Sequence, residues 1–194
     1  MTAAEPLTRE QILAAAKETL RRYGPAKTTV VDVAQALGVS HGTVYRHFPT
    51  KAALRGAVVR QGLGAISARL SLIAGESGPA TERLHRWFLE LNEYKQGFCR
   101  EDVELFETYA QAGKDAPEVV DEHIGQLTGQ LARMLADGVA AGEFHASASS
   151  AAGAVWDATA RFHHPAHCAE WADPKIAEDF EAVWQLILRG LAKD

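Results

Sequence analysis

Apolar side chains recur along this chain at intervals of three and four, the period of a helix with one buried face, and alternating strand patterns are almost absent. Ile12, Leu13, Ala16 and Leu20 form the first stripe, preceded by a capping box at Thr8 to Gln11 and stopped at Tyr23-Gly24-Pro25. A second follows in Val30, Val33, Ala34 and Leu37, with Thr29 as its cap and Asp32 three residues on. Gly38 ends it with a sharp turn, Val39 fills the space between helices, and Ser40 caps a third whose Val44 and Phe48 face inward. Pro49-Thr50 opens a fourth helix, with Leu54, Val58, Ile66, Leu70 and Ile73 inward, running to a loop from Gly75 to Pro79. Further helices are predicted over Thr81 to Lys95 (Leu84, Phe88, Leu91), Arg100 to Ala112 (Val103, Phe106, Tyr109) and from Asp115-Pro117 to near Gly142. A small-residue helix follows over 146–162, and a last one, opened by Asp173-Pro174, carries Ile176, Phe180, Val183, Trp184, Ile187 and Leu191. The expected fold is all-α, with about nine helices.

The third helix has an unusual outer face. His41, Gly42, Thr43, Tyr45, Arg46 and His47 point away from the buried pair, and no acid stands between Ser40 and Thr50. Solvated helices ordinarily carry Glu and Lys. Hydroxyls, imidazoles and one guanidinium instead suit phosphates and base edges, so the segment 28–51 reads as a helix-turn-helix with double-stranded DNA as its partner.

Over its first sixty or so residues the chain also resembles the TetR family of bacterial transcription regulators. The resemblance is carried by Thr29-Val30, Asp32-Val33-Ala34, Leu37-Gly38-Val39-Ser40, Gly42-Thr43-Val44-Tyr45-Arg46-His47-Phe48 and Lys51-Ala52-Ala53-Leu54. Beyond residue 70 only helix number and length agree. The resemblance implies a helix-turn-helix DNA-binding domain at 1–50 and a helical ligand-binding and dimerisation domain at 51–194, joined by the helix starting near residue 50. It further implies a homodimeric repressor that binds a palindromic operator and is released by a small molecule. His41, Gly42, Thr43 and Arg46 are the candidates for base edges, and Thr29, Ser40, Tyr45, His47 and Lys51 for phosphates. Many relatives carry a hydroxyl or amide where this chain has His41.

Charge divides in the same place. Residues 1–60 hold nine Lys and Arg against four Asp and Glu, and residues 61–194 hold eleven against twenty-one. A basic end therefore precedes an acidic body, which disfavours an architectural protein that coats DNA unselectively. A length of 194 residues, 47% of them apolar, allows buried cores in one large or two smaller domains. No apolar run approaches the roughly 20 residues that cross a bilayer, and Met1 to Leu7 has neither a basic start nor an apolar stretch, so a cytoplasmic protein without membrane contact is expected. Cys99 and Cys168 lack Cys-x-x-Cys spacing and indicate neither a disulfide framework nor a zinc finger. Phosphate loops, nucleophile elbows and His-Glu-x-x-His are missing, which argues against an enzyme and gives no sign of a cofactor.

Three candidates lie in the body. Trp87, Phe88, Tyr94, Phe98, Phe106, Tyr109, Trp156 and Phe162 are expected to line an effector pocket, although any single member of an aromatic stripe is more often plain core. Ala151 and Val155 in the small-residue helix, with Phe180, Val183, Trp184 and Ile187 in the last, are expected to form a dimer interface with two-fold symmetry. His163-His164-Pro165-Ala166-His167-Cys168 could serve a metal-responsive regulator, or could be a helix end with cationic His near its negative terminus, the favoured reading, with no metal. Gly56, Gly62 and Gly64 in the fourth helix permit either close packing or a soft joint.

Overall fold

The computed structural model describes residues 7–193; residues 1–6, read above as carrying no leader, and residue 194 lie outside it. Among the described residues the elements are ten α-helices and two 3-10 helices, with a lone bridge between Phe144 and Ala192. In order they are α1 (Arg9–Lys27), α2 (Val30–Ala36), α3 (His41–His47), α4 (Lys51–Ala74), α5 (Ala80–Glu101), α6 (Val103–Asp115), α7 (Pro117–Ala141), α8 (Ala152–Ala158), α9 (Ala160–His163) and α10 (Ile176–Leu191). The 3-10 helices are Ala146–Ser150 and Pro165–Ala172.

Two compact units result. The first holds the described residues up to Leu63 together with Glu101–Val120, and so takes in more chain than the head read from sequence. Thr8 accepts the Gln11 amide at 3.2 Å and receives the Gln11 side chain in return, which starts α1; the backbone leaves helical geometry at Gly24, with φ 72°. Ile12, Leu13, Ala16 and Leu20 are buried on one face of α1, which packs along α6. Arg21 donates to Asp102 at 2.6 Å beside that contact. A second cluster joins Val59 and Leu63 of α4 to Ala112 of α6, Ala116, and Val119 of α7. Here Gly62 lies against Tyr109, whose hydroxyl donates to the Val58 carbonyl at 3.3 Å, and any Cβ at residue 62 would overlap that ring. Close packing is therefore the role of Gly62, while Gly64 faces open space.

The second unit comprises Gly64–Arg100 and the described residues from Asp121 on. Its core is aromatic. Phe88 and Trp87 meet edge to face at 5.0 Å, and Phe180 lies 5.3 Å from Phe162 and 6.2 Å from Phe88. Glu143, just past α7, accepts the amides of Ala80 (2.7 Å) and Thr81 (2.9 Å) and the Thr81 hydroxyl (3.0 Å), serving as the cap of α5 from a distant part of the chain. Partial burial alone would raise the Glu143 pKa, yet these bonds to the ionised form hold it below the usual range.

Two expectations are corrected in this unit. The small-residue helix over 146–162 is instead a 3-10 turn followed by α8 and α9, interrupted where the Thr159 hydroxyl turns back to the carbonyls of Val155 (2.9 Å) and Trp156 (3.0 Å). The cysteines are joined: Cys99 near the end of α5 and Cys168 in the second 3-10 helix form a disulfide with Cα atoms 6.5 Å apart. Sequence spacing carried no sign of a pairing that the tertiary fold alone creates.

Candidate DNA-binding face and interior polar cluster

The helix-turn-helix is built from local rules. At Thr29 the hydroxyl accepts the Asp32 amide at 3.3 Å, and Asp32 accepts the Thr29 amide at 2.7 Å and hydroxyl at 2.6 Å. The Thr29 hydroxyl bond, first among causes, lowers the Asp32 pKa, so the cap is kept ionised. After α2, Gly38 adopts φ 66°, and the Val39 amide reaches back to the Ala34 carbonyl at 3.0 Å. Ser40 accepts the Thr43 amide at 3.2 Å and starts α3. Val44 and Phe48 are 0% and 1% exposed and fix the helix to its support. The guanidinium of Arg9, from α1, lies 4.2 Å above the Phe48 ring and donates to the His47 carbonyl at 3.3 Å.

With two inward anchors the other side of α3 is left outward. His41, Gly42, Tyr45 and Arg46 are exposed, and Thr43 and His47 are half-buried. Arg46 approaches the Thr43 hydroxyl at only 3.5 Å, a weak tether that leaves its fork available. Thr29 and Ser40 are exposed but use their hydroxyls as caps, which leaves lone pairs and the neighbouring amides for a phosphate. Lys51 is half-buried at the start of α4, adjoining Thr50, whose hydroxyl accepts the Ala53 amide at 2.9 Å. The outer face of α3 thus presents donors and no carboxylate, while the Asp32 carboxylate lies beside Thr29 and acts on the Lys51 charge.

The second unit holds a buried polar cluster that the sequence reading did not single out. His123 of α7 meets Ser67 of α4 through Nδ1 and Oγ at 2.8 Å, and its Nε2 is buried without a partner. Asn92 of α5 is buried with its Oδ1 likewise unpaired. Gln130 donates to the Ser67 carbonyl at 2.9 Å and accepts from the Trp87 indole at 2.8 Å. His163 is buried against Trp156, ring centres 4.1 Å apart, with its Nε2 3.2 Å from the Thr159 hydroxyl. Lys95, one turn beyond Asn92 on α5, is half-buried. Burial lowers the Lys95 pKa to about 8, and burial first, then the Lys95 charge, lowers His123 and His163 to about 3. At neutral pH both imidazoles are therefore uncharged.

Residues 12–58 match the family model of bacterial regulatory proteins of the tetR family, and residues 80–184 match a tetracyclin repressor-like C-terminal domain. The second match alone takes in over half of the chain. This chain belongs to the TetR family. Over 102 residues the TetR-family chain is 33% identical to nucleoid occlusion factor SlmA of Marinobacter nauticus, covering 51% of the chain and 52% of that relative. Over 47 residues it is 45% identical to the HTH-type transcriptional regulator TtgR of Pseudomonas putida, covering 24% of the chain and 22% of TtgR. The chain thus matches about half or less of the length of these curated relatives. Among solved structures, FadR of Bacillus subtilis in complex with stearoyl-CoA superposes with a TM-score of 0.70 at 17% identity, over 94% of this chain and 99% of that one. SmeT, the repressor of a Stenotrophomonas maltophilia multidrug efflux pump, gives 0.69 at 20% identity over 97% and 92%. These identities establish a shared fold.

Within this TetR-family fold the expected pocket residues are dispersed. Trp87, Phe88 and Phe162 are fully buried core, Phe106 and Tyr109 belong to the first unit, and only Tyr94, Phe98 and Trp156 are half-buried residues of the second. Of the expected dimer residues, Phe180, Trp184 and Val155 are buried within the protomer, Ala151, Val183 and Ile187 are half-buried, and Leu186 stands beside them 67% exposed. The His-rich segment does not assemble as a metal site. His163 faces Trp156, His164 accepts the Ala166 amide at 3.2 Å, His167 meets Glu170 at 2.6 Å, and Cys168 is in the disulfide; no metal-competent group of His, Cys, Asp and Glu occurs among the described residues. Nor is His163 a cationic helix end, because burial keeps it neutral.

Proposed function

We propose that this TetR-family regulator is a repressor that binds a palindromic operator as a homodimer in the cytoplasm and is released by a small molecule. The exposed, carboxylate-free outer face of α3, held from within by Val44 and Phe48, is the observation that carries the reading. His41, Gly42, Thr43 and Arg46 would meet base edges, and Thr29, Ser40, Tyr45, His47 and Lys51 phosphates. Two copies would present two such helices to successive major grooves, about 34 to 36 Å apart or somewhat more. Ala151, Val183 and Ile187, with Leu186, are the outward apolar side chains available to a partner copy. SmeT has been solved with triclosan and FadR with stearoyl-CoA, and by that precedent the second unit would receive the effector, which shifts the population toward a form whose heads no longer fit the grooves. No helix of the described chain is long and apolar enough to cross a membrane.

Selection of bound sites from a random DNA pool, followed by footprinting, tests this. A repressor of this kind selects a palindrome and protects it symmetrically. Protection without a defined palindrome would make it an architectural DNA binder instead.

A further inference from the structure

A lysine stripped of part of its hydration is costly unless something answers its charge. Lys95 has no hydrogen bond or ion pair among the described residues, and no carboxylate acts on it: desolvation is the whole cause of its lowered pKa. Around 8, that pKa still leaves it mostly cationic at neutral pH, while His123 and His163 are uncharged. The same unit holds two buried polar atoms with no partner, Asn92 Oδ1 one helical turn earlier on α5 and Nε2 of His123, an imidazole on which the Lys95 charge acts. If Ser67 donates to His123 Nδ1, the free Nε2 carries the proton and can donate to an anion. Trp156, packed at a tilt against His163, adds a half-buried aromatic face in the same unit.

We propose that this cluster is the head-group subsite for the effector, and that the effector is a small organic carboxylate. Its carboxylate accepts from Lys95 Nζ and from His123 Nε2, Asn92 Oδ1 accepts from the Lys95 ammonium, and its apolar part lies toward Trp156. The proposal rests on the reading of the second unit as the effector-binding part, and it adds the chemical class and the residues. A buried cation gains far more from a carboxylate than from the neutral amide of the same shape, because the amide leaves the charge unanswered.

The test uses the full chain and matched probes: benzoate and straight-chain monocarboxylates from butanoate to decanoate, each beside its primary amide, with binding measured by calorimetry. At least one acid should bind about ten- to hundredfold more tightly than its amide, and Lys95→Met should erase that preference. Observation of the Lys95 ε-carbon by NMR should show the ammonium titrating at higher pH once the acid is bound. Equal binding of acid and amide by the unaltered protein, or no acid binding at all, overturns the proposal without recourse to the variant. Operator binding is measured in parallel. Acids that bind through Lys95 yet leave operator affinity unchanged would uphold the subsite and overturn the release mechanism. Release by the amides alone would do the reverse.

Discussion

Arg46 and Lys51 are both cations of the proposed DNA-binding face, but their surroundings suit them to different work. Arg46 is exposed on the outer face of α3 with its planar fork loosely tethered, which suits a bidentate bond to guanine. Lys51 is a point charge at the start of α4. Arg46→Ala should therefore relax preference at one base position at a cost of about 1 to 3 kcal/mol, and Lys51→Ala should weaken all sequences alike and flatten the salt dependence by roughly 0.9 in slope. Equal losses from both variants on operator and random DNA would refute the division. Gly62 and Gly64 offer a second contrast. Gly62→Ala must displace Tyr109 and should destabilise by about 1 to 3 kcal/mol in denaturant titration, whereas Gly64→Ala, in open space, should stabilise by roughly 0.5 to 1 kcal/mol. Reading both glycines as one soft joint misses this, because the partner of Gly62 lies 47 residues further along.

Elements with strong punctuation were legible and those without it were not. The Thr8 to Gln11 and Thr29 to Asp32 boxes, Gly38 and Ser40 each do locally what the sequence implies, so α2, α3 and the start of α1 follow the expected bounds, while α1 resumes beyond the break at Gly24 and runs to Lys27. Residues 146–162 lack caps, and their alanines are compatible with any tight packing, so nothing in the pattern reveals that Thr159 breaks the run. Lys95 was visible in a different way. It continues the stripe of Leu84, Phe88 and Leu91, just as His123 shares a face with Val119 and Leu127, and a polar residue on an apolar stripe is the signal for an interior site. The disulfide links α5 to the second 3-10 helix across 69 residues. Its closure restricts the unfolded chain, so reduction, or Cys99→Ser, should lower the melting midpoint by about 10 °C. An unchanged midpoint on adding reductant would show that the bond adds nothing to stability.

At the scale of the whole molecule, the buried imidazoles set a pH limit. His123 and His163 have folded pKa values near 3 against 6.5 when unfolded, so between these values the unfolded chain binds more protons. Stability is thus full above about pH 6.5 and falls as pH drops toward 3, by roughly 1 kcal/mol per pH unit for each histidine. Denaturation followed at pH 7, 6, 5 and 4 checks this, and replacing His123 by Asn should flatten the curve. Lys95 acts at the other end: its folded pKa is depressed to about 8 from 10.5, so its cost to the fold is present below 8 and is relieved as pH rises toward 10.5.

The Glu143 clamp bears on how the second unit opens. In most helices the first amides exchange with solvent early, because nothing within the helix holds them. Here the amides of Ala80 and Thr81 are held by a carboxylate more than sixty positions away in sequence. The start of α5 and the end of α7 are thereby made to fray together, as one step in hydrogen exchange rather than two.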